Sequence, residues 1–314
     1  MSRLRLGTRG SPLALAQARA VAAALPLSPE LVVVETAGDR LGRQSPAPLD
    51  DPAGRGRFVS ALEQALRAGT VDLCVHSAKD VPPEGTPGLA LIAFPTRADP
   101  RDALVGRALA ELAAGATVAT GSPRRAAQLL ALRPDLRVEA VRGNVDTRLR
   151  RTAEGGFAAA LLAVAGLSRL GREDAIREVL APEQMVPAAG QGALALQARA
   201  GDAAAAAAAA ACNDPLTAFC VRVERGVLAA LGGGCSAPAG VLCAPLRPGR
   251  LLVRAVVAGA AGELVRAVVE AEVAPARWTD GARADELAAE VAAALLQGGA
   301  ARLLQAAGGA GGAR

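Results

Sequence analysis

Asp80 stands beside Lys79 in Val75-His76-Ser77-Ala78-Lys79-Asp80-Val81-Pro82, where an apolar run ends in a turn. A carboxylate in such a place can face a cation forming in a substrate while its neighbouring ammonium holds an anion. The same pair also fits a surface turn with a weak ion pair. His76 lies on the apolar side of the motif and reads as a satisfied core histidine.

Two further motifs have the form strand, turn, helix start. In Gly7-Thr8-Arg9-Gly10-Ser11-Pro12, Ser11 suits an N-cap and Pro12 the first helical position. Exposed N–H groups there, with Arg9, can receive a carboxylate, although a plain capped turn needs the same residues. Thr120-Gly121-Ser122-Pro123-Arg124-Arg125 repeats the pattern, and Arg142-Gly143-Asn144-Val145-Asp146-Thr147-Arg148 follows it. Four arginines near strand ends exceed what a solvated face needs and suggest a pocket for several carboxylates, gripped by forked guanidinium groups. Arg150 and Arg151 fit an exposed helix face.

Cys235 follows Gly232, Gly233 and Gly234. Glycines permit unusual backbone angles and close approach to another body, so this thiol is more available for covalent chemistry than Cys74 in its apolar strand. A free cysteine is also commonly a small buried hydrophobe. The five cysteines contain no CxxC pair and the chain has one histidine, which argues against disulfides and metal binding.

A chain of 314 residues implies two or three domains. Aromatic residues make up only 2%, so the cores rest on Leu, Val and Ala. The formal charge is +5 and nearly all 35 basic residues are arginine, which points to an anionic partner. The scarcity of aromatic residues for base stacking argues against nucleic acid. No apolar run reaches the roughly 20 residues of a membrane helix, and the N-terminus lacks a signal-like apolar region; a cytoplasmic protein is expected.

The elements that would position these motifs alternate in the first half: strand Leu4 to Thr8, helix Pro12 to Leu25, strand Leu31 to Thr36, helix Arg57 to Ala68 and strand Val71 to His76. That pattern predicts an α/β domain with a largely parallel sheet. After the proline-rich stretch 95–100 it restarts, with strands at Thr117 to Thr120, Arg137 to Val141 and Ala159 to Ala163. Residues 185–192 read as a second crossing, returning to close the first domain with strand Ala193 to Gln197 and a helix from Asp202. A helix Leu216 to Leu231, strands Leu251 to Val257 and Leu264 to Val273, and a helix Asp285 to Leu296 form a smaller α+β domain. The tail from Gly308 is expected to fray. Ala203 to Ala211 reads as a surface helix.

In this order the motifs resemble the porphobilinogen deaminase family: His76 to Pro82, Arg142-Gly143-Asn144, Ala163-Val164-Ala165-Gly166-Leu167, Gly190-Gln191-Gly192-Ala193 and Gly233-Gly234-Cys235. The resemblance spans nearly the whole chain. It implies two lobes like those of periplasmic binding proteins plus a C-terminal α+β domain, divided as 1–95 with 193–212, 98–187 and 215–314. It implies the condensation of four porphobilinogen units with loss of ammonia, on a dipyrromethane cofactor joined by a thioether to Cys235. By the same resemblance Asp80 is catalytic and stabilises the positive azafulvene-type intermediate. Cofactor contacts come from Lys79, Asp80, Thr120, Ser122, Arg124, Arg125, Arg142 and Gly143; substrate contacts from Arg9, Ser11, Arg148, Arg169, Arg55, Phe58 and Gln191. A monomer is implied.

Three places depart from the family pattern. The loop that in many relatives reads Gly-Lys-Gly-Leu-Phe is Gly54-Arg55-Gly56-Arg57-Phe58, the stretch Leu41 to Pro52 is proline-rich with Asp50-Asp51, and Pro123 sits where leucine is frequent. The competing readings are a non-catalytic bilobal protein holding a small anion, which leaves Cys235 unmodified, and an arginine-rich nucleic-acid binder, with steeply salt-dependent binding.

Overall fold

Three helices open on the same device, a capping side chain followed by proline. Ser11 precedes α1 (Pro12–Ala24), and its hydroxyl accepts a hydrogen bond from Ala14 N–H at 3.3 Å. Ser122 and Asp214 accept likewise from Arg125 and Thr217. Each cap satisfies an N–H that the helix cannot, and proline at the next position gives up none that is needed. Pro123 thus belongs to a regular helix start.

The structure is a computed structural model that describes residues 3–26, 28–35, 52–141, 143–232, 238–259 and 262–309, the side chains of 52–58 and 307–309 apart. In chain order it contains β1 (Arg5–Thr8), α1, β2 (Glu30–Val33), α2 (Pro52–Arg67), β3 (Leu73–Ser77) and β4 (Leu89–Ala93). Then come β5 (Asp102–Val105), β6 (Thr117–Ala119), α3 (Pro123–Leu132), β7 (Arg137–Glu139), α4 (Val145–Ala153), β8 (Ala159–Ala163), α5 (Val164–Arg169) and β9 (Ile176–Val179). The chain continues through β10 (Leu194–Arg199), α6 (Ala203–Ala210), α7 (Pro215–Ala230), β11 (Ala239–Arg247), β12 (Arg250–Ala258), β13 (Leu264–Glu272), α8 (Gly281–Gln297) and α9 (Ala300–Gly309).

Two five-stranded sheets have matching plans, β2-β1-β3-β10-β4 and β7-β6-β8-β5-β9. In each, four strands run in one direction and the fourth in order, β10 or β5, runs antiparallel to both its neighbours. The predicted largely parallel sheet is therefore a mixed one. The reason is connectivity: β5 and β10 each follow a crossing from the other sheet, whereas parallel neighbours are joined by a helix that returns the chain to the starting end. The short strands β4, β5 and β9, absent from the sequence expectations, complete the sheets. In the first, Leu6, Leu73 and Leu196 are fully buried, each stabilising the fold by about 2 kcal/mol.

The third sheet, β11-β12-β13, is antiparallel. Helices α7 and α8 cover one face through Val223, Val227, Leu287 and Val291, all fully buried. The last helix runs to Gly309, past the expected point of fraying. The fold is thus two α/β lobes with a smaller C-terminal domain. No single helix among the described residues is long and apolar enough to cross a membrane.

Candidate functional site

Two segments carry the chain between the lobes: 94–101 leads from β4 into β5, and 180–193 from β9 into β10. They lie against each other. Ala98 N–H donates to the Gly192 carbonyl at 3.3 Å, Arg97 Nε to the Gln191 carbonyl at 2.9 Å, and Gln191 Nε2 to the Pro100 carbonyl at 2.7 Å. Gly192 has φ +86°, and a Cβ there would collide with the Ala98 carbonyl oxygen. The crossings touch because this residue is glycine.

Asp102, the first residue of β5, is fully buried. Its Oδ2 accepts from Arg124 Nη1 at 2.8 Å, and its Oδ1 from Arg125 Nε at 2.9 Å and Gln191 Nε2 at 2.8 Å. Burial alone would raise this carboxyl, but the Arg124 and Arg125 charges outweigh it and hold the group well below the usual carboxylate range. Gln191 Oε1 in turn accepts from Arg125 Nη2 and from Lys79 Nζ, each at 3.3 Å. One carboxamide therefore joins the turn after β3, the start of α3 and the start of β5.

Beside this knot lies a cavity of about 110 Å³ between the lobes. Leu13, Gln17, Ser77 and Lys79 line it from the first lobe, and Arg125, Val145, Arg148, Leu162 and Arg169 from the second, with Gly192 and Ala193 of the crossing. Among the described residues its charged lining is entirely cationic: Lys79, Arg125, Arg148 and Arg169. Burial, reinforced by the charge of Arg125, pushes the Lys79 ammonium down to about 8, with Asp80 and Asp102 opposing. Burial and Arg125 likewise push Arg148 down to about 10, and burial lowers Arg169. Cations made less stable by one another and by burial are completed by an anion.

The nitrogens of these cations are committed unequally. Each nitrogen of Arg125 has a protein partner: Nε on Asp102, Nη1 on the Leu161 carbonyl at 3.0 Å, and Nη2 on Gln191. Among the described residues Arg148 spends only Nε, on the Gly143 carbonyl at 3.2 Å, and Arg169 only Nη2, on the Gly192 carbonyl at 2.7 Å. Arg124 is not at the cavity wall; its Nη1 also reaches the Val186 carbonyl at 2.6 Å, inside the protein.

Asp80 ends a short 3-10 turn, Ala78–Asp80, and is half-buried beside Lys79. It accepts no hydrogen bond among the described residues. The chain just beyond it is fixed from the third domain, where Arg225 of α7 donates to the Val81 and Pro82 carbonyls at 2.9 and 2.7 Å. The Ser11 and Ser122 hydroxyls serve as caps, and Thr120 Oγ1 accepts from Ser122 N–H at 3.2 Å. Arg9 is half-buried near His76. His76 is a core residue as expected, with Nε2 2.9 Å from Gln197 Oε1 and burial pushing it down to about 4. Cys235, Arg142 and the side chains of Arg55 and Phe58 lie outside the described residues. Where the chain resumes after Cys235, Val241 N–H donates to the Pro187 carbonyl at 2.9 Å, and Gly240 packs so closely on the Val186 and Pro187 carbonyls that no side chain fits.

A second buried knot ties the third domain to the crossings. Glu224 of α7, fully buried, accepts from Arg97 Nη1 at 2.6 Å and Nη2 at 3.1 Å, from Gly190 N–H at 2.6 Å and from Cys243 N–H at 2.9 Å.

The family model described as "Porphobilinogen deaminase, dipyromethane cofactor binding domain" matches residues 4–207, a span that contains the cavity and both crossings. The chain belongs to the porphobilinogen deaminase family. Porphobilinogen deaminase of Acidothermus cellulolyticus is 50% identical over 252 residues, 77% of this chain and 75% of that one. The Roseiflexus castenholzii protein of the same name is 44% identical over 303 residues, 94% of this chain and 99% of that one, so the likeness includes the third domain. Among solved structures, the periplasmic aliphatic sulphonate binding protein of Escherichia coli is 16% identical with TM-score 0.36, over 73% of this chain and 70% of that one. The family's cofactor is dipyrromethane, and the cationic lining suits a carboxylate-bearing group of that kind.

Asp102 and Gln17 are site residues outside the motifs, and Ser77 lies within one that is read for its neighbours. Asp102 nevertheless leaves a trace in the sequence: a carboxylate opening the apolar run Asp102-Ala103-Leu104-Val105 must be paired once the strand is buried. Gln17 leaves none, because an amide on a helix face announces neither its burial nor its bond to Ser77 Oγ at 3.0 Å.

Proposed function

We propose that the chain is a hydroxymethylbilane synthase, a transferase that joins four porphobilinogen units head to tail with loss of one ammonia at each addition, then releases the linear tetrapyrrole by hydrolysis. The observation that carries this reading is the cavity between the lobes, lined among the described residues by four cations and no carboxylate, in a chain of this family.

Dipyrromethane, when bound, supplies the nucleophilic pyrrole carbon to which each new unit is joined. Lys79, Arg148 and Arg169 hold acetate and propionate groups. Arg148 does so as a fork, since Nη1 and Nη2 have no partner among the described residues. Arg125 contributes charge more than donors. Arg124, Thr120 and Ser122 act from behind the wall, as does Gln191 through Lys79 and Arg125, and Arg142, Gly143, Arg9, Ser11, Arg55 and Phe58 complete the contacts. Asp80, without a hydrogen-bond partner among the described residues and next to Lys79, faces the positive charge that grows on a porphobilinogen unit as ammonia leaves, and takes part in moving its proton. Leu13, Val145 and Leu162 keep water from the reacting carbon.

Cys235 is the tether. Cys74, Cys220 and Cys243 are buried, and burial pushes the Cys74 and Cys212 thiols up, which disfavours the thiolate that a thioether bond requires. Domains 1–95 with 193–212, 98–187 and 215–314 move about the paired crossings as the product lengthens. The protein works as a cytoplasmic monomer without nucleic-acid or membrane partners.

Purified protein is weighed intact and given porphobilinogen. The expected results are a mass larger by one dipyrromethane and formation of a linear tetrapyrrole. Cys235→Ser loses the added mass; Asp80→Ala keeps it and loses at least about 100-fold in turnover. A wild-type protein with no adduct and no consumption would sink the assignment.

A further inference from the structure

Asp102 bonds Arg125 of the cavity wall without lining the cavity itself. We propose that Asp102 is the positioning residue of the cavity, holding Arg124 and Arg125 side by side and, through Gln191, setting the place of Lys79. The inference rests on the carboxylate-binding reading of that cavity.

Three observations carry it. Asp102 is fully buried and its two oxygens together accept from two guanidinium groups and one carboxamide. The carboxamide is that of Gln191, whose oxygen bridges Arg125 in the second lobe to Lys79 in the first. Asp102 also opens β5 directly after the first crossing, so its place in the fold is set where that crossing ends. The consequence is a division of labour. Arg125 is tied on all three nitrogens and gives the cavity a fixed charge, whereas Arg148, tied on one, keeps its fork for the ligand.

Lys79 reports on this arrangement. The charges around it come from Arg124 and Arg125 of α3, Asp102 of β5 and Asp80 of its own turn, with Arg148 of α4 and Arg169 of α5 across the cavity. Asp102 favours the ammonium form and the arginines oppose it. Neutralising Asp102 therefore makes Lys79 lose its proton at lower pH.

Lys79 is the only lysine in the chain, so protein labelled with 13C at lysine Cε gives one ε-methylene signal that follows its protonation in the intact holoenzyme. The protein's own groups set the wild-type midpoint at about 8, and the cofactor's carboxylates in the holoenzyme raise that midpoint. Asp102→Asn, nearly the same shape without the charge, lowers it by at least about half a unit and raises KM for porphobilinogen about tenfold, with a smaller change in kcat. Asp102→Glu keeps the charge and displaces it by a methylene, so it retains the wild-type midpoint while KM rises about fivefold.

A wild-type midpoint in Asp102→Asn, with activity lost only in proportion to folded protein, overturns the proposal. Should Asp102→Asn fail to fold, a wild-type KM in Asp102→Glu overturns it equally. The lysine signal is read whether or not porphobilinogen is consumed. Failure of turnover in wild type therefore counts against the functional assignment and not against the role of Asp102.

Discussion

Two buried clusters of charge lie a few residues apart along the crossings, and they are built to opposite ends. At the Arg97–Glu224 knot, one guanidinium meets one carboxylate in two bonds, and the remaining carboxylate capacity is taken by the Gly190 and Cys243 amides. Charge is balanced and three parts of the chain are fixed. At the cavity, Asp102 is one carboxylate among Arg124, Arg125, Lys79, Arg148 and Arg169. Even with Asp80 beside Lys79, the cations there outnumber the carboxylates among the described residues. A balanced buried pair holds a fold together, whereas an unbalanced one of the same ingredients is left for a ligand to complete.

Breaking the balanced knot should have the largest effect on stability. Glu224→Ala leaves Arg97 and two amides without their acceptor, and the expected loss is about 3–5 kcal/mol, read as a lower urea midpoint. A loss under about 1 kcal/mol would remove the distinction between the two clusters. Gly192→Ala strikes the contact between the crossings. The backbone strain at positive φ alone costs about 1–3 kcal/mol, and the collision with Ala98 adds to it, so the thermal midpoint should fall.

Two of the cavity's three arginines sharpen the comparison. Arg125→Ala removes a partner of the buried Asp102 and should lower stability by about 3 kcal/mol. Arg148→Ala removes the open fork and should leave stability within about 0.5 kcal/mol of wild type while raising KM for porphobilinogen about 10-fold to 100-fold. Equal effects on stability would show that the two are not divided as proposed.

The smallest effect is on pH dependence. Lys79 is charged below about 8 and discharges above it, so affinity for an anionic substrate should weaken as pH rises from 7 to 9. KM measured across that range should climb, and Lys79→Arg, which stays charged throughout, should flatten the climb.

Much of this was legible in the chain as written. Ser11-Pro12 and Ser122-Pro123 specify helix starts because a capping hydroxyl and a proline act within one turn, and both sites are as expected. His76 beside apolar neighbours reads as core and is core. The strands Asp102–Val105 and Leu194–Arg199 could be located at best as short apolar runs, and their antiparallel direction depends on where the chain has come from, which no local pattern records. Arg124 and Arg125 are adjacent in sequence and share one motif, yet Arg125 reaches the cavity and Arg124 points to Val186. Successive residues on a helix face different sides, and the packing of the helix decides which side is the site.

The sequence by itself determined the local chemistry: the caps, the lone lysine next to Asp80, the arginine-rich strand ends, and the glycines before Cys235. Those features act through neighbours along the chain or through residue type alone. Only the tertiary structure decided which charges are spent inside the protein and which are left over. That depends on burial and on partners far away in sequence, such as Asp102 for Arg125 and Glu224 for Arg97, and the strength of an ionic contact is set by the surroundings into which folding carries it.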